Sequence, residues 1–429
     1  MTISLNELRI KILKLILVLS PLHVLIFNLI NFQPLTLWRD ILLLFLVLGV
    51  VFKGIKQEKY IAIVILRTII CIFFAVIFHD SSMSASIWIN VLRVYLFPAL
   101  IIIILGSIKI SNEHVRKMCR VYVIEAFCIS IFGIFQMFVL GRSYLQLIGV
   151  GQSSVLLADG TQRNISVFES ANVLAIYLVF AIILLVQYEN IIRKKRNKWI
   201  VMIGLLSGLV LTYSMSAFLV LAVLTFIKIS TSDYSHLSSS KMLKFFLAIV
   251  IVFLAALIFI TSNPEILLLL RAQLGEKITD IISTLAGTNS ISTSSAAIHY
   301  TDFIEGFQLL GKNLNGLGFA KESFMVSDKV FSRTLVGLRE SSYLTIMYDF
   351  GVFVGLIYLV PYVLPFVYWK NKENTRGRET AKFISMTVMI SYLFLPVIQS
   401  YELTLFTFFF IGLFYYSSEK IADQQNNRK

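Results

Sequence analysis

The sequence predicts an all-α polytopic membrane protein with about 12 transmembrane helices and one large extracytoplasmic loop that contains short helices. Hydrophobic residues make up 57% of the 429 residues and charged residues 14%, and the mean hydropathy is +0.82. Such a chain has too little polar surface to coat a soluble globule. Because lipid cannot satisfy free backbone groups, its apolar segments are expected to be helices.

Apolar segments long enough for a hydrocarbon core of ~30 Å recur along the chain. Hydropathy predicts spans at 13–30, 39–52, 60–79, 87–108, 121–140, 168–188, 199–213, 215–229, 243–262, 342–368, 383–399 and 403–418. The pair on either side of Thr212, Tyr213 and Ser214 is short for two crossings, although this polar break suits a tight turn near one interface. Hydropathy alone therefore leaves eleven or twelve spans.

The distribution of Lys and Arg favours twelve spans. With that count, every basic short loop and both termini fall on the cytoplasmic side, as the positive-inside rule expects. The resulting order is transmembrane helices 1–9 within residues 1–262, an extracytoplasmic loop at 263–341, helices 10–12 within 342–418, and a cytoplasmic tail at 419–429. The net charge of +14 then reflects topology and attraction to anionic headgroups, so nucleic acid is not an expected partner.

The long loop has internal order. Residues 264–285 repeat apolar side chains at helical spacing, which predicts a helix along the membrane surface or over the bundle. A Gly/Ser/Thr-rich stretch at 286–297 predicts a linker, and a second helix is expected at 299–311, before the turn NLNGLGF. The three cysteines, Cys71, Cys119 and Cys128, lie in or beside spans, so the loop is expected to be held by packing without a disulfide.

Arginines that the topology places outside the cytoplasm are candidates for an anion site, because guanidinium groups grip phosphates bidentately. Headgroup contact or snorkelling is the alternative for each of them. Arg67 and Arg93 lie within predicted spans, where charge is costly and suggests function. The outer candidates are Arg163 in the loop 141–166, and Arg271, Arg333 and Arg339 in the long loop.

Three stretches resemble the O-antigen ligase and polysaccharide polymerase superfamily, and the likeness is closer to the Wzy-type polymerases. They are FESANVLAIYLVFAIILL (168–185), LTYSMSAFLVLAVLTFI (211–227), and GFQLLGKNLNGLGFAKESF (306–324) with ESSYLTIMYDFGVFVGLIYL (340–359). Ligases of this family carry a histidine, then Asn, Ser or Gln, then nine residues, then Gly or Pro. Glu340, Ser341 and Gly351 reproduce that spacing with Glu in the histidine position, a form associated with polymerases.

The resemblance implies a metal-independent membrane glycosyltransferase without a cofactor, in the bacterial inner (plasma) membrane. It would transfer a growing glycan from its polyprenyl-diphosphate carrier to a sugar hydroxyl of the next lipid-linked repeat, with Glu340 as general base. The implied partners are the polyprenyl-diphosphate-linked oligosaccharide and membrane lipids, with a flippase and a chain-length regulator as further candidates. The phosphate-binding arginines of the family cannot all be carried over to this sequence. The residues expected to bind the substrate are therefore assigned from position, and they are Arg163, Arg271, Arg333, Arg339 and His299.

Departures from the family pattern keep alternatives open. Met215 follows Ser214 where many members carry Arg. Many members also carry an Arg shortly before the outer-loop helix, and here the nearest basic residue is His299. The alternative for His299 is that it is an ordinary polar residue of the loop. Glu340 would otherwise form a salt bridge with Arg339 that ties down the loop. The other functions are a ligase, disfavoured by Glu340, a flippase or secondary transporter, disfavoured by the lack of related halves, and a structural scaffold.

Overall fold

The computed structural model describes residues 5–30, 37–53, 59–78, 85–141, 143–144, 162–188, 191–231, 295–320, 341–368 and 375–417. Within these ranges the chain forms helices and no extended strand. It divides into two compact units, the first made of Met1–Leu221 with Leu310–Lys429 and the second of Ala222–Leu309. The predicted span 243–262 and the predicted helix 264–285 lie outside the described residues.

The helices are numbered here in chain order. They are α1 (Leu5–Leu19), α2 (His23–Ile30), α3 (Trp38–Lys53), α4 (Lys59–Ile77), α5 (Ala85–Leu96), α6 (Leu100–Ser107), α7 (Asn112–Phe135), α8 (Ala171–Gln187), α9 (Lys195–Val210), α10 (Met215–Thr231), α11 (Ser295–Lys312), α12 (Ser342–Val367), α13 (Thr375–Phe394) and α14 (Tyr401–Tyr416). A π-helical turn, Gln136–Leu140, extends α7, and 3-10 turns lie at Phe97–Ala99 and Val397–Gln399.

Within the part of the chain that the structure describes, four helical segments are long and apolar enough to cross a membrane. They are Lys59–Ile77, Trp88–Ser107, Asn112–Leu140 and Ser342–Val367. Shorter apolar helices occur at Ala171–Gln187, Ser216–Lys228 and Tyr401–Tyr416. The structure thus confirms an all-helical chain with helices suited to a membrane.

Several helix boundaries differ from the prediction, each for a local reason. The segment 13–30 is two helices that separate around Pro21, and 87–108 is interrupted by the 3-10 turn at Pro98. Proline lacks the N–H that an uninterrupted helix requires. The helix predicted at 299–311 begins at Ser295, inside the predicted linker, where Ala296 and Ala297 are strong helix formers.

Helix α4 has one face against protein and one without protein cover. Val64, Arg67 and Cys71 are buried. Leu66 and Phe73 project from the other face with 58% and 66% of their surface exposed. A wide apolar face of this kind is costly in water but suits hydrocarbon.

Helices α8 and α14 form the centre of the first unit, because their side chains are buried nearly all round. A helix that is apolar on every side belongs inside a bundle. Ring contacts pair Tyr177 with Phe406 at 5.4 Å and Tyr188 with Phe414 at 5.5 Å. The residue later in α8 contacts the residue later in α14, so the two helices run parallel and begin at the same end.

Candidate substrate-binding site

One end of the first unit collects the starts of α8, α12 and α14. The Ser342 hydroxyl donates to the Leu395 carbonyl at 2.6 Å and accepts from the Ile398 backbone N–H at 3.1 Å. These bonds join the start of α12 to the chain between α13 and α14. Because α8 begins at the same end as α14, we call this region the Ser341 end. The topology predicted from charge assigns it to the outer side.

Arg163 is the predicted site residue whose side chain the structure describes. Its Nε donates to the Thr212 carbonyl at 2.9 Å, and its Nη2 donates to Asn172 Oδ1 at 2.9 Å. The Ser170 hydroxyl caps α8 by accepting from the Asn172 backbone N–H at 3.2 Å. Arg163 therefore joins two of the stretches that resemble the polymerase family, at the start of α8 and at the turn between α9 and α10.

The electrostatic setting of Arg163 suits an anion. Burial lowers the pKa of the Arg163 guanidinium, but arginine starts so high that the group stays charged. Its acceptors, a carbonyl and an amide oxygen, are neutral. The side chain is only half-buried, and no carboxylate among the described residues forms an ion pair with it.

The chain around Arg163 is fixed by close packing. The Asn164 backbone N–H donates to the Leu211 carbonyl at 2.8 Å, and its Nδ2 donates to the Gly208 carbonyl at 3.2 Å. The Tyr144 hydroxyl donates to the Ser166 carbonyl at 2.9 Å, and burial raises the pKa of Tyr144 to about 12. Tyr144 is thus a permanent donor that holds the loop.

Ser214 lies beside this junction with an unused hydroxyl. The residue is 2% exposed, and its Oγ has no hydrogen-bond partner among the described residues. Its backbone N–H donates to Thr212 Oγ1 at 3.3 Å. The turn predicted at this polar break is therefore observed. The Thr212 carbonyl, which belongs to the turn, accepts the hydrogen bond from Arg163.

The other two arginines described at the Ser341 end are neutralised within the protein. Arg39 forms an ion pair with Glu402 at 2.6 Å, and Arg93 pairs with Asp40 at 2.7 Å. The Tyr401 hydroxyl donates to Asp40 Oδ1 at 2.6 Å, and the Arg39 guanidinium lies 4.4 Å from the Tyr401 ring centre. This cluster ties α3, α5 and α14 together, which explains the intramembrane charge of Arg93 without a ligand.

Arg67 is buried deeper and is held by backbone oxygens. Its Nε donates to the Tyr358 carbonyl at 3.3 Å and its Nη2 to the Tyr95 carbonyl at 3.2 Å, while the guanidinium lies 4.0 Å from the Tyr358 ring centre. The Tyr95 hydroxyl donates to Asp349 Oδ2 at 2.6 Å. Sequence reasoning did not single out Asp349, although a carboxylate within an apolar span is a recognisable signal.

Helix α12 is broken at Gly351, two residues after Asp349. Gly351 has φ 71° and ψ 165°. The turn formed by NLNGLGF packs into the break in the helix. The Leu317 N–H donates to the Tyr348 carbonyl at 2.9 Å, and the Val352 N–H donates to the Leu314 carbonyl at 2.9 Å. Non-helical backbone at membrane depth requires such partners within the protein. The segment NLNGLGF and the family-like Gly351 thus form one structural unit.

The remaining predicted site residues are less defined. Ser341 is buried, and its hydroxyl donates to the Tyr392 carbonyl at 3.0 Å, which anchors the start of α12. His299 lies on α11 in the second unit. Outside the described residues lie Glu340, Arg271, Arg333 and Arg339.

Comparison with known proteins adds no identification: no protein-family model matches the chain, and neither does any curated protein. Within the described ranges, no group of three or more His, Cys, Asp or Glu side chains is arranged to hold a metal ion.

Proposed function

We propose that this protein is a polymerase of lipid-linked oligosaccharide repeats, acting on the outer face of a bacterial plasma membrane. The observation that carries the proposal is Arg163. Of the three arginines described at the Ser341 end, it alone has no carboxylate partner within the described part of the chain, and it bridges two stretches that resemble the polymerase family. A fixed, half-buried guanidinium beside helices that enter the membrane suits the diphosphate of a polyprenyl carrier.

The chemistry assigns a separate role to Glu340. The acceptor sugar hydroxyl loses its proton to the Glu340 carboxylate, and its oxygen attacks the anomeric carbon of the growing glycan. The bond from that carbon to the diphosphate oxygen breaks, and the polyprenyl diphosphate leaves with the electron pair. Arg163 stabilises the charge on the leaving group, together with Arg271, Arg333 and Arg339. His299 completes the proposed substrate-binding residues.

The proposal includes a topology of about 12 spans, with cytoplasmic termini and an outer loop at 263–341. Contacts within the first unit join helix ends that the distribution of Lys and Arg assigns to the same side of the membrane. The Asn6 amide donates to the Lys109 carbonyl at 3.2 Å, and both residues belong to the proposed cytoplasmic side. A cysteine introduced at Ser290 should react with an impermeant thiol reagent in intact cells, whereas one at Asn371 should react only after permeabilisation. The reverse pattern would refute the topology.

The function is tested by the surface glycan of cells that lack the gene. A polymerase defect leaves single capped repeats without long chains. Loss of all surface-attached glycan would instead indicate a ligase or a flippase and would refute the proposal. Complementation with Arg163→Lys then tests whether polymerisation requires the planar guanidinium group. Lysine keeps the positive charge but lacks the rigid fork that bonds Thr212 and Asn172.

A further inference from the structure

An isolated carboxylate lies inside the membrane-spanning segment Asn112–Leu140. Both carboxylate oxygens of Glu125 are buried and have no hydrogen-bond partner among the described residues. The hydroxyl of Tyr177, whose ring centre lies 4.6 Å from that of Tyr122, is also buried without a hydrogen-bond partner among the described residues, and the residue is 0% exposed. Unpaired polar groups inside a membrane are costly, so their presence calls for a ligand.

Contacts of Tyr122 place this pair near the middle of the bundle. Tyr122 precedes Glu125 by three residues on α7 and donates to the Tyr177 carbonyl at 3.1 Å. Its ring also contacts Phe406 and Phe410, at 5.4 and 4.8 Å. These partners lie in the central turns of α8 and α14. Because residues three apart share a helix face, Glu125 points along the same side of α7 as Tyr122.

Among the described residues, no charged side chain forms an ion pair with Glu125. Cys128 lies one turn further along α7. Helices α1 and α9 also pack on α7, and α14 contacts it through Tyr122. Their charged residues are Glu7, Arg9, Lys11 and Lys14 on α1, Lys195, Arg196 and Lys198 on α9, and Glu402 on α14, and none of them forms an ion pair with Glu125 in the described structure.

We infer that Glu125 is an exchangeable intramembrane binding site for a monovalent cation, H⁺ or Na⁺. A single carboxylate becomes neutral with one positive charge, whereas a divalent ion would leave a net charge in an apolar region. The site is separate from the Arg163 junction and does not depend on the proposed function.

A hydrophobic carbodiimide tests this inference on the full-length protein in detergent. The reagent takes the proton of a neutral carboxyl on its nitrogen, and the carboxyl oxygen adds to its central carbon. The adduct rearranges to a stable N-acylurea that peptide mass spectrometry locates. Glu113 is a matched control on the same helix, because it is exposed and lies 2.6 Å from the Lys117 amine.

Labelling is expected at Glu125 and not at Glu113 near pH 6 in sodium-free buffer. For a proton site, labelling falls about tenfold per pH unit above its midpoint. For a sodium site, NaCl at 100 times the Kd lowers labelling about 100-fold, whereas choline chloride does not. Both measurements are made on the wild-type protein, so the test does not depend on whether a Glu125→Gln variant folds. Absence of labelling between about pH 5 and pH 9, or labelling independent of pH and sodium, would refute an exchangeable site.

Discussion

Substitution of Gly351 by alanine should destabilise the protein strongly. The residue has φ 71° and ψ 165°, a region that is essentially restricted to glycine and costs other residues ~1–3 kcal/mol. A Cβ there would lie 2.9 Å from both the carbonyl carbon and the oxygen of Asn315. These are backbone atoms, and the hydrogen bonds of Leu317 and Val352 hold their turn in place.

The expected loss follows from these two effects. Relief of the overlap would break one or both of those hydrogen bonds, at ~0.5–1.5 kcal/mol each. Together with the backbone strain, this should lower the free energy of unfolding by ~1.5–6 kcal/mol. With ~2.1 cal/mol/K of unfolding entropy per residue, the chain of 429 residues should then lose roughly 2–7 °C in Tm, or accumulate to lower levels in the membrane.

Gly355→Ala is the matched control on the same helix. A Cβ at Gly355 would lie 3.3 Å from Met347 Cγ, a flexible side chain, and alanine favours helix by ~0.5–1 kcal/mol over glycine. Thermal stability is measured by size-exclusion chromatography of the detergent-solubilised protein after heating. If Gly351→Ala proved as stable as Gly355→Ala, the break in α12 and the turn that fills it would be refuted.

Two further predictions concern the arginines of the Ser341 end. Arg39→Gln or Glu402→Gln alone should lower stability by ~3–5 kcal/mol, because each removes the ion-pair partner of a largely buried charge. The double variant should lose clearly less than the sum in a thermal double-mutant cycle, and additive losses would contradict the pairing. Arg163→Lys should lower polymer yield at least about tenfold at normal membrane abundance, because loss of one charge-assisted bond costs ~1.5–3 kcal/mol, and Arg196→Lys, an exposed control, should not; equal yields would remove Arg163 from the site.

The helical class was predictable because hydropathy and helix periodicity are local properties. The turn at Thr212 and the glycine positions of NLNGLGF were also visible in the sequence. Their partners were not, because the bonds that fill the break at Gly351 join backbone groups of this turn to a helix that comes later in the sequence. A pattern of residues specifies that a turn exists but not which helix it packs against.

The charged residues show the same limit more clearly. Arg39 and Glu402 are separated by 363 positions. Nothing in the sequence around either residue therefore indicates that they neutralise each other. Glu125 and Asp349 carried a usable signal, since a carboxylate inside an apolar span is costly wherever it occurs. Attention to basic residues alone missed both. Arg163 was predicted from its loop position alone, and its role in substrate binding stays a prediction.

The central claim is best tested by reconstitution of the purified protein with polyprenyl-diphosphate-linked oligosaccharide repeats. The account predicts a ladder of glycans that grow by whole repeats, with one polyprenyl diphosphate released per new bond. Glu340→Gln should be folded and equally abundant but should leave only single repeats, because the amide cannot accept the hydroxyl proton. Repeats that remain unelongated with the wild-type protein, or chains of normal length with Glu340→Gln, would contradict the account.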